Sequence, residues 1–544
     1  MTVTSVATPA TIEPAGSSVS PSPEGAFDYA ASQARLLPSE TSTATAASIA
    51  AAAAAREPAV WRRSFARSWR ALQWDDRSLG ERVPWFVARV QTEMEFVLTA
   101  PQRGGSAPLL QGAPSWEPMW PETRNVSVSD VLVPNRDGEP AFYYSGSIGD
   151  AATSHWQTAA LLDELEPSEA LHIEDVPPLA ADVDDGLPRP PSADSAAGGG
   201  GALPRNRTSL RLWLTSGNVL ARTHYDKSHN LLCVLRGAKR VLLWPPSELP
   251  SLHLYPAVHA AHRQSQVSLS RVEAVARALA SGETPFLRGA VDEYPLVEPP
   301  ALLGGKGARR VELSEGDVLY IPPYWAHAVY SPEPSVALAA FSTSWEQARW
   351  QRSGWLPAPL GRFVGGGVCS KARAAAMLVA ALLHACVASG ILEGQTPREF
   401  LAHLFASRFA PLYGALHATH THTHATEHEA GGRHSTTAVA ECLGHAAHVL
   451  PPDAPERDAR LRGRLGEYAA AVAAVLAEPD RSGAGTRFDG RRYDFGVARE
   501  LAADFIEELF GWACGADGAW RLLRLLAQLS EFDEVVGVAA AGSQ

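Results

Sequence analysis

Apolar residues along this chain follow three successive patterns, and the changes of pattern divide it. Up to about residue 55 the sequence is Ser, Thr, Ala and Pro, closing in the run Ala50 to Ala55, with few aromatic or large apolar residues. That composition predicts a disordered low-complexity tail over 1–55. From about 56 to 345 apolar positions recur with the period of a strand. In TSLRLWL, Leu210, Leu212 and Leu214 share one face. DVLVPNRDGEPAFYYSGSI reads as strand, Asp-Gly turn, strand, and TEMEFVLTA as a further short element. Ahead of these, Trp61, Phe65 and Trp69 recur at i, i+4 as a packing face of a helix. SRVEAVARALASG forms a helix closed by Gly282 within an insertion between strands. Beyond Trp345 the period becomes helical: 371–390, ending at Gly390, is the strongest case, followed by Arg460–Leu476, Val497–Leu509 and Trp520–Leu529. This order predicts a mainly β domain over 56–345 and a helical region over 346–544.

Two stretches interrupt the pattern. Residues 176–205 are acidic, then Pro-rich, then a Gly run from Gly198 to Gly201, which predicts an inserted loop. No Gly-Lys-Ser/Thr follows the glycines, so they are not a phosphate loop. HATHTHTHATEHEAGGRH places His417, His420, His422, His424, His428 and His434 in a loop over 417–434. A solvated low-complexity loop is the simpler reading, with adventitious metal binding as the alternative.

Charge and cysteine content narrow the class. The 59 acidic residues outnumber the 47 basic ones, giving a net charge of −12, which argues against bulk electrostatic binding to nucleic acid. The five cysteines, Cys233, Cys369, Cys386, Cys442 and Cys514, are scattered and form no Cys-x-x-Cys pair. They predict reduced intracellular thiols and no structural zinc finger. No run of 18 or more apolar residues occurs, so no transmembrane helix is expected. Glu13, Glu24 and Asp28 precede the first arginine, Arg35, unlike an acid-poor transit peptide. The expected location is cytoplasmic or nuclear, with organellar targeting left open.

The candidate chemistry sits in THYDKSHNLLCVLRGAKRVLLWPP, Thr223 to Pro246. In a strand, His224 and Asp226 project from one face, close enough to hold one metal ion. A His and a carboxylate are two thirds of the facial triad of non-haem Fe(II) oxygenases. A third ligand, His327, follows the turn, apolar strand and Pro-Pro break of GDVLYIPPYWAH. Distant strands delivering ligands to one place imply a barrel or jelly roll. His229 is a rival ligand, but its parity assigns it to the opposite face. Lys239 shares a face with Val241 and Leu243; buried there, its ammonium needs an anionic partner such as a cosubstrate carboxylate. Tyr143 and Tyr144 are candidates for the same pocket. The carboxylate in the triad favours Fe(II) over a three-His zinc site.

HYDKSHNLLCVLRGAKRVLLWPP, LYPAVHAAHRQSQV and GDVLYIPPYWAH together resemble the JmjC family of cupin-fold oxygenases, in particular the branch of the asparaginyl hydroxylase that inhibits the hypoxia-inducible factor. The resemblance implies a double-stranded β-helix (jelly-roll cupin) with flanking helices and a helical C-terminal domain. It implies Fe(II) held by His224, Asp226 and His327, with 2-oxoglutarate as cosubstrate and O2 as oxidant. Lys239 falls where that branch pairs a lysine with the 2-oxoglutarate carboxylate, and Asn230 near the cosubstrate. The threonine that this branch carries three residues before the first His is replaced by Ala221, and the loop from Gly217 to Val219 is one residue longer. Thr215 and Thr223 are the candidate substitutes, and Arg222 and Arg240 alternative carboxylate partners. Arg263, Gln264 and Ser265 occupy a matched motif whose role can be structural. The implied activity is hydroxylation of a protein side chain; N-methyl-lysine demethylation and an inactive cupin-like binding module are the alternatives. C-terminal helices imply a homodimer in that branch.

Overall fold

In a computed structural model of the chain, the described residues are 23–32, 34–40, 44–64, 70–82, 86–91, 122–132, 141–148, 171–173, 208–267, 269, 307–363, 366–412, 455–478 and 490–528. Phe65 and Trp69, the element TEMEFVLTA, the insertion over 176–205, the helix ending at Gly282 and the His-rich loop all lie outside them. The strands are β1 (Arg35–Leu36), β2 (Ser39–Glu40), β3 (Ala59–Trp61), β4 (Phe86–Gln91), β5 (Thr123–Val126), β6 (Ala141–Ile148) and β7 (Ser209–Thr215). They continue with β8 (Val219–Tyr225), β9 (His229–Arg236), β10 (Lys239–Trp244), β11 (Arg309–Leu313), β12 (Val318–Ile321), β13 (Ala326–Ser331) and β14 (Ser335–Ser342).

Two sheets result, a five-stranded one in the order β1-β11-β10-β13-β8 and a nine-stranded one in the order β2-β3-β12-β9-β14-β7-β6-β4-β5. From β7 to β14 the chain passes back and forth between them, which makes a double-stranded β-helix. In β9 every residue but the last is buried, because both faces are covered. Leu232 and Val234 join the core between the sheets, while Leu231, Cys233 and Leu235 join a second core on the outer face. That double burial explains a strand without alternation. Gly237 turns β9 into β10 at φ +75°, where an added Cβ would stand 2.4 Å from the carbonyl oxygen of Pro334. Gly316 turns into β12 at φ +83°. Asp317 beside it accepts from the amides of Arg63 and Ser314, each at 2.9 Å, which ties the turn to the N-terminal segment.

The tail departs from its predicted disorder. Helix α1 (Pro23–Ser32) buries Ala26, Phe27 and Ala30 against the five-stranded sheet, with Phe27 stacked on Tyr330 at 5.6 Å. The alanine run forms helix α2 (Ala46–Ala55), opened by a Thr45/Ser48 capping box, and buries Ile49 and Ala53 on the outer face of the nine-stranded sheet. Alanine has the best helix propensity, and its small side chain lets a helix lie close on a sheet. β1 and β2 extend the two sheets by parallel pairing, so backbone hydrogen bonds help offset the ordering entropy.

Helices α3 (Trp345–Trp355), α4 (Val368–Ala388), α5 (Pro397–Leu404), α6 (Pro455–Ala477), α7 (Gly490–Cys514) and α8 (Ala516–Gln528) follow the last strand. Four of them cover the segments that the sequence predicts as helical. Among the described residues α4 alone has the length and apolarity to cross a bilayer, a property that a buried core helix shares. Here it packs against α6 and α7, with half of its most apolar window buried. One hydrophobic cluster runs from Leu243 and Trp244 of the barrel through Leu249 and Leu252 into Leu382 and Leu501 of these helices. Cys233, Cys386 and Cys514 are free thiols, but Cys369 is disulfide-bonded, so the reduced state expected of all the cysteines does not hold for that one.

A buried ion pair links tail, barrel and helices. Arg56, at the end of α2, donates through Nε to Glu346 of α3 at 2.8 Å, both side chains at most 2% exposed. The indole of Trp325 donates to the Arg56 carbonyl at 3.0 Å. Replacing Glu346 by Ala leaves a buried guanidinium uncompensated, and a loss of about 3–5 kcal/mol is expected in urea unfolding. The double substitution Arg56→Met with Glu346→Leu is expected to recover most of it.

Candidate metal centre

β8 lies at the end of the five-stranded sheet and pairs with β13, which brings His224 opposite His327, Tyr225 opposite Ala326, and Ala221 opposite Val329. Between these pairs Arg222 and Thr223 together oppose the single residue Ala328, a β-bulge. The extra residue turns Ala221 onto the face of His224 although they are three apart, and turns Arg222 off it; Thr223, next to His224, is off that face by ordinary alternation. The free edge of β8 is covered by the segment that contains Gln264 and Ser265, through a bridge from His224 to Gln264 and a 2.8 Å bond from the Ser265 amide to the Thr223 carbonyl. Asp226 follows directly after β8, and its carbonyl accepts from the Tyr324 amide at 2.8 Å. Tyr324 takes φ +61° in the turn before β13, a conformation uncommon for an aromatic residue.

The ligand atoms of His224, Asp226 and His327 lie within 4.8 Å of one another. The imidazole centroids are 4.3 Å apart, and His327 Nε2 stands 3.7 Å from Asp226 Oδ2. Each ring presents Nδ1 to a backbone carbonyl, His224 to that of Arg222 at 2.8 Å and His327 to that of Trp325 at 3.1 Å. A carbonyl only accepts, so Nδ1 carries the proton and Nε2 is left as a lone-pair donor toward Asp226. Burial, followed by the charge of His327, pulls the His224 imidazole down to about 4. Burial pushes Asp226 upward, but His327, His224 and Arg263 outweigh it and hold the carboxyl below its usual range. Asn230 donates Nδ2 to Asp226 Oδ2 at 3.2 Å. Two neutral imidazoles and one carboxylate converging from one side fit a divalent ion bound facially. His229, the rival ligand, faces away and bonds the Tyr320 hydroxyl at 2.8 Å.

The triad opens onto a cavity of about 450 Å³ between the two sheets, with Lys239, Tyr143 and Asn230 in its wall. Lys239 is 3% exposed and donates to the Ser331 hydroxyl at 3.0 Å; burial pulls its ammonium down to about 7. Of the two threonines expected to assist, neither reaches the wall. Thr215 bonds the Ser335 hydroxyl at 2.6 Å at the far end of β7, and Thr223, next to the inward His224, points to the opposite face. Tyr143 lines the cavity, whereas Tyr144, one residue on, is buried in the outer core. Arg222 is not in the wall, and Arg240 is directed to Glu24 and Asp28 of α1. Arg263 and Gln264 line the cavity, while Ser265 is a buried anchor that donates to the Leu252 carbonyl at 2.6 Å.

The sequence reading missed two groups. Arg89 and Arg211 are cavity residues on β4 and β7. Their signal is a charge on the second face of a strand whose first face is already apolar. The other group lies on α7. Lys227, next to Asp226, bonds Asp504 at 3.0 Å and sits over the Trp350 ring at 4.5 Å. The Tyr225 hydroxyl donates to Glu500 at 3.2 Å. Arg408 binds Glu500, Asp504 and Glu507 together, and Glu507 also accepts from the Ala257 amide. Burial pushes Glu507 up to about 8. Helix α7 thus holds both neighbours of Asp226.

A family model described as a cupin-like domain matches residues 52–344. The Arabidopsis thaliana protein named lysine-specific demethylase JMJ31 is 36% identical over 134 residues, 25% of this chain and 21% of that protein. The Emericella nidulans protein named tRNA wybutosine-synthesizing protein 4 is 32% identical over 127 residues, 23% of this chain and 10% of that protein. The human protein named bifunctional peptidase and (3S)-lysyl hydroxylase JMJD7 is 26% identical over 140 residues, 25% of this chain and 42% of that protein. The chain therefore spans less than half the length of each of these relatives.

His224→Ala is expected to abolish stoichiometric Fe(II) binding, read by metal analysis, while circular dichroism stays that of the parent. Asp504→Asn releases Lys227 and is expected to weaken Fe(II) affinity roughly 10- to 100-fold in a metal titration. An unchanged affinity would mean that α7 only packs against the barrel.

Proposed function

This chain belongs to the cupin-like family, among the JmjC-type Fe(II)- and 2-oxoglutarate-dependent oxygenases, and on that premise we propose that it hydroxylates a side chain of a protein or peptide substrate. The observation that carries the reading is the convergence of two neutral imidazoles, one carboxylate and a sheltered lysine on a single cavity. When bound, Fe(II) with 2-oxoglutarate supplies O2 activation, one oxygen atom ending in succinate, formed with release of CO2, and the other in the hydroxyl group of the product.

The chain's own residues account for the rest. Asn230 and the two backbone carbonyls orient the ligands. Lys239 offers an ammonium to the distal carboxylate of 2-oxoglutarate, a charge-assisted bond strengthened by its sheltered position, with the Ser331 hydroxyl beside it at 3.0 Å. The walls of the two sheets exclude water from the reacting groups.

Charge in the cavity favours hydroxylation over N-methyl-lysine demethylation. A methylated ammonium calls for an aromatic or acidic pocket. Tyr225 stacks on Tyr324 at 4.9 Å, the Trp325 indole is committed to the Arg56 carbonyl, and the other rings of the wall, Tyr143, Trp213 and Phe341, share it with Arg211, which lies over Trp213. Among the described wall residues Asp226 is the one acid, while basic residues are several. Such a wall repels an ammonium.

Peptide pools incubated with the protein, Fe(II), 2-oxoglutarate and ascorbate are expected to gain one oxygen atom by mass spectrometry. Formaldehyde release from methyl-lysine peptides, with no oxygen gain in any pool, would sink the reading. Lys239→Ala is expected to raise the KM for 2-oxoglutarate roughly 30- to 150-fold, from about 2–3 kcal/mol of lost charged hydrogen bonding, and to spare Fe(II) binding. Because the free Lys239 loses its proton near 7 and the bound dianion needs that proton, the KM is expected to be flat below about pH 7. Above it the KM rises by up to about tenfold per pH unit, and Lys239→Ala removes this dependence.

A further inference from the structure

The cavity carries more positive charge than the proposed cofactors can neutralise. Its described wall contains Arg89, Arg211, Arg263, Lys227 and Lys239 against Asp226. Lys227 is matched by Asp504 and Arg89 has contacts of its own, which leaves Arg211, Arg263 and Lys239 against Asp226 among the described residues. An Fe(II) ion and a 2-oxoglutarate dianion cancel each other, so loading leaves the excess in place. A sheltered cation without a counter-charge is costly, which calls for a further anionic group in the cavity.

Arg211 marks where that group goes. It stands on β7 opposite Ala339 of β14, which pairs in turn with Leu232 of β9. This row lies one step inward from the row of Asn230, Phe341 and Ser209. Arg211 therefore belongs to the nine-stranded sheet and faces the five-stranded sheet, which carries His224 and His327. Its guanidinium lies over the Trp213 ring at 6.0 Å and reaches the Ser145 hydroxyl at 3.3 Å. Its Nε is buried and has no hydrogen-bond partner. Arg89 stands on β4 opposite Tyr143 of β6, the strand that also pairs with β7, and it lines the same cavity. Lys239, by contrast, stands on β10 of the five-stranded sheet and bonds Ser331. The arginines thus form a subsite apart from the lysine.

We propose that Arg211, flanked by Arg89, receives a carboxylate of the primary substrate, an Asp or Glu side chain of an acidic peptide held across the cavity from His224 and His327. The planar Nε–Nη fork matches the two oxygens of a carboxylate, and the Trp213 ring lies beside it at 6.0 Å. A net charge of −12 on the whole chain disfavours a polyanionic substrate such as RNA. The proposal deepens the hydroxylase reading and rests on it for the identity of the cavity as the substrate site.

The test measures binding separately from turnover. Full-length protein loaded with Mn(II) and 2-oxoglutarate under nitrogen is titrated with fluorescent peptide pools that are alike except for Asp/Glu or Asn/Gln at the randomised positions. A third arm uses single-stranded RNA. The acidic pool is expected to bind about tenfold more tightly than the amide pool, the size of one charged contact. Arg211→Gln is expected to bring that ratio close to one, and Arg211→Lys to restore part of it. Equal affinity of both pools for the parent protein, an unchanged ratio in Arg211→Gln, or tighter binding of RNA than of the acidic pool would each overturn the subsite. The parent comparison stands even if Arg211→Gln fails to fold. Succinate formation with Fe(II) is followed in parallel: its absence counts against the oxygenase reading, whereas the pool ratio alone decides the subsite.

Discussion

Everything at the centre of this protein depends on the antiparallel register between β8 and β13. It sets His224 beside His327, and the bulge at Arg222 and Thr223 lets β8 carry Ala221 on the same face. A slip of one residue would turn both imidazoles to the opposite face and dismantle the ligand set. The register is held from several sides. Gln264 and Ser265 occupy the outer edge of β8, the Tyr324 amide holds the Asp226 carbonyl, and α7 binds Tyr225 and Lys227. An edge strand is the weakest place in a sheet to put a metal ligand, because one side of its backbone is otherwise unpaired. Here the edge is covered by structure that also closes the cavity.

The polar interior has two parts with opposite logic. Around Arg408, a guanidinium is surrounded by Glu500, Asp504 and Glu507. Charges there are matched, and the cluster joins the helical region to the loop that carries Asp226. In the cavity Arg211 and Lys239 have no carboxylate partner among the described residues, and burial depresses Lys239 rather than a partner raising it. Matched buried charge fixes geometry, whereas unmatched buried charge is a demand for a ligand. The helical region therefore belongs to the site as much as to the fold, and one hydrophobic cluster crosses the boundary near residue 345 without a break.

The N-terminal segment shows how composition can mislead. Low complexity and few large apolar residues ordinarily signal too little burial to offset ordering entropy. In residues 23–64 that deficit is met by other means. Two short parallel strands borrow sheet edges, a capped alanine helix lies flat on a sheet, and Phe27 and Arg56 make single strong contacts. Apart from the pairing of β2 with β3, each of these depends on a partner hundreds of residues away, which no local window contains.

Strand period, the His-x-Asp spacing, the Gly-Asp turn before an apolar strand and the parity of His229 are local properties. From them the chain alone pointed to a barrel or jelly roll, the triad, the inward lysine and the C-terminal helices, and the resemblance to JmjC proteins narrowed the barrel to a double-stranded β-helix. Side-chain direction in a strand follows from covalent geometry, so these conclusions need no partner. Tertiary structure decided what rests on relations between strands. A bulge reverses parity and so brought Ala221 to the cavity and took Arg222 from it, and the run of β7 carried Thr215 past it. Sheet order brought Arg89 and Arg211 to the same cavity as Lys239 from 150 and 28 positions away along the chain. It also brought the carboxylates of α7 to the flanks of Asp226. Contacts of that separation are fixed by register and packing, and a sequence read in order carries no measure of either.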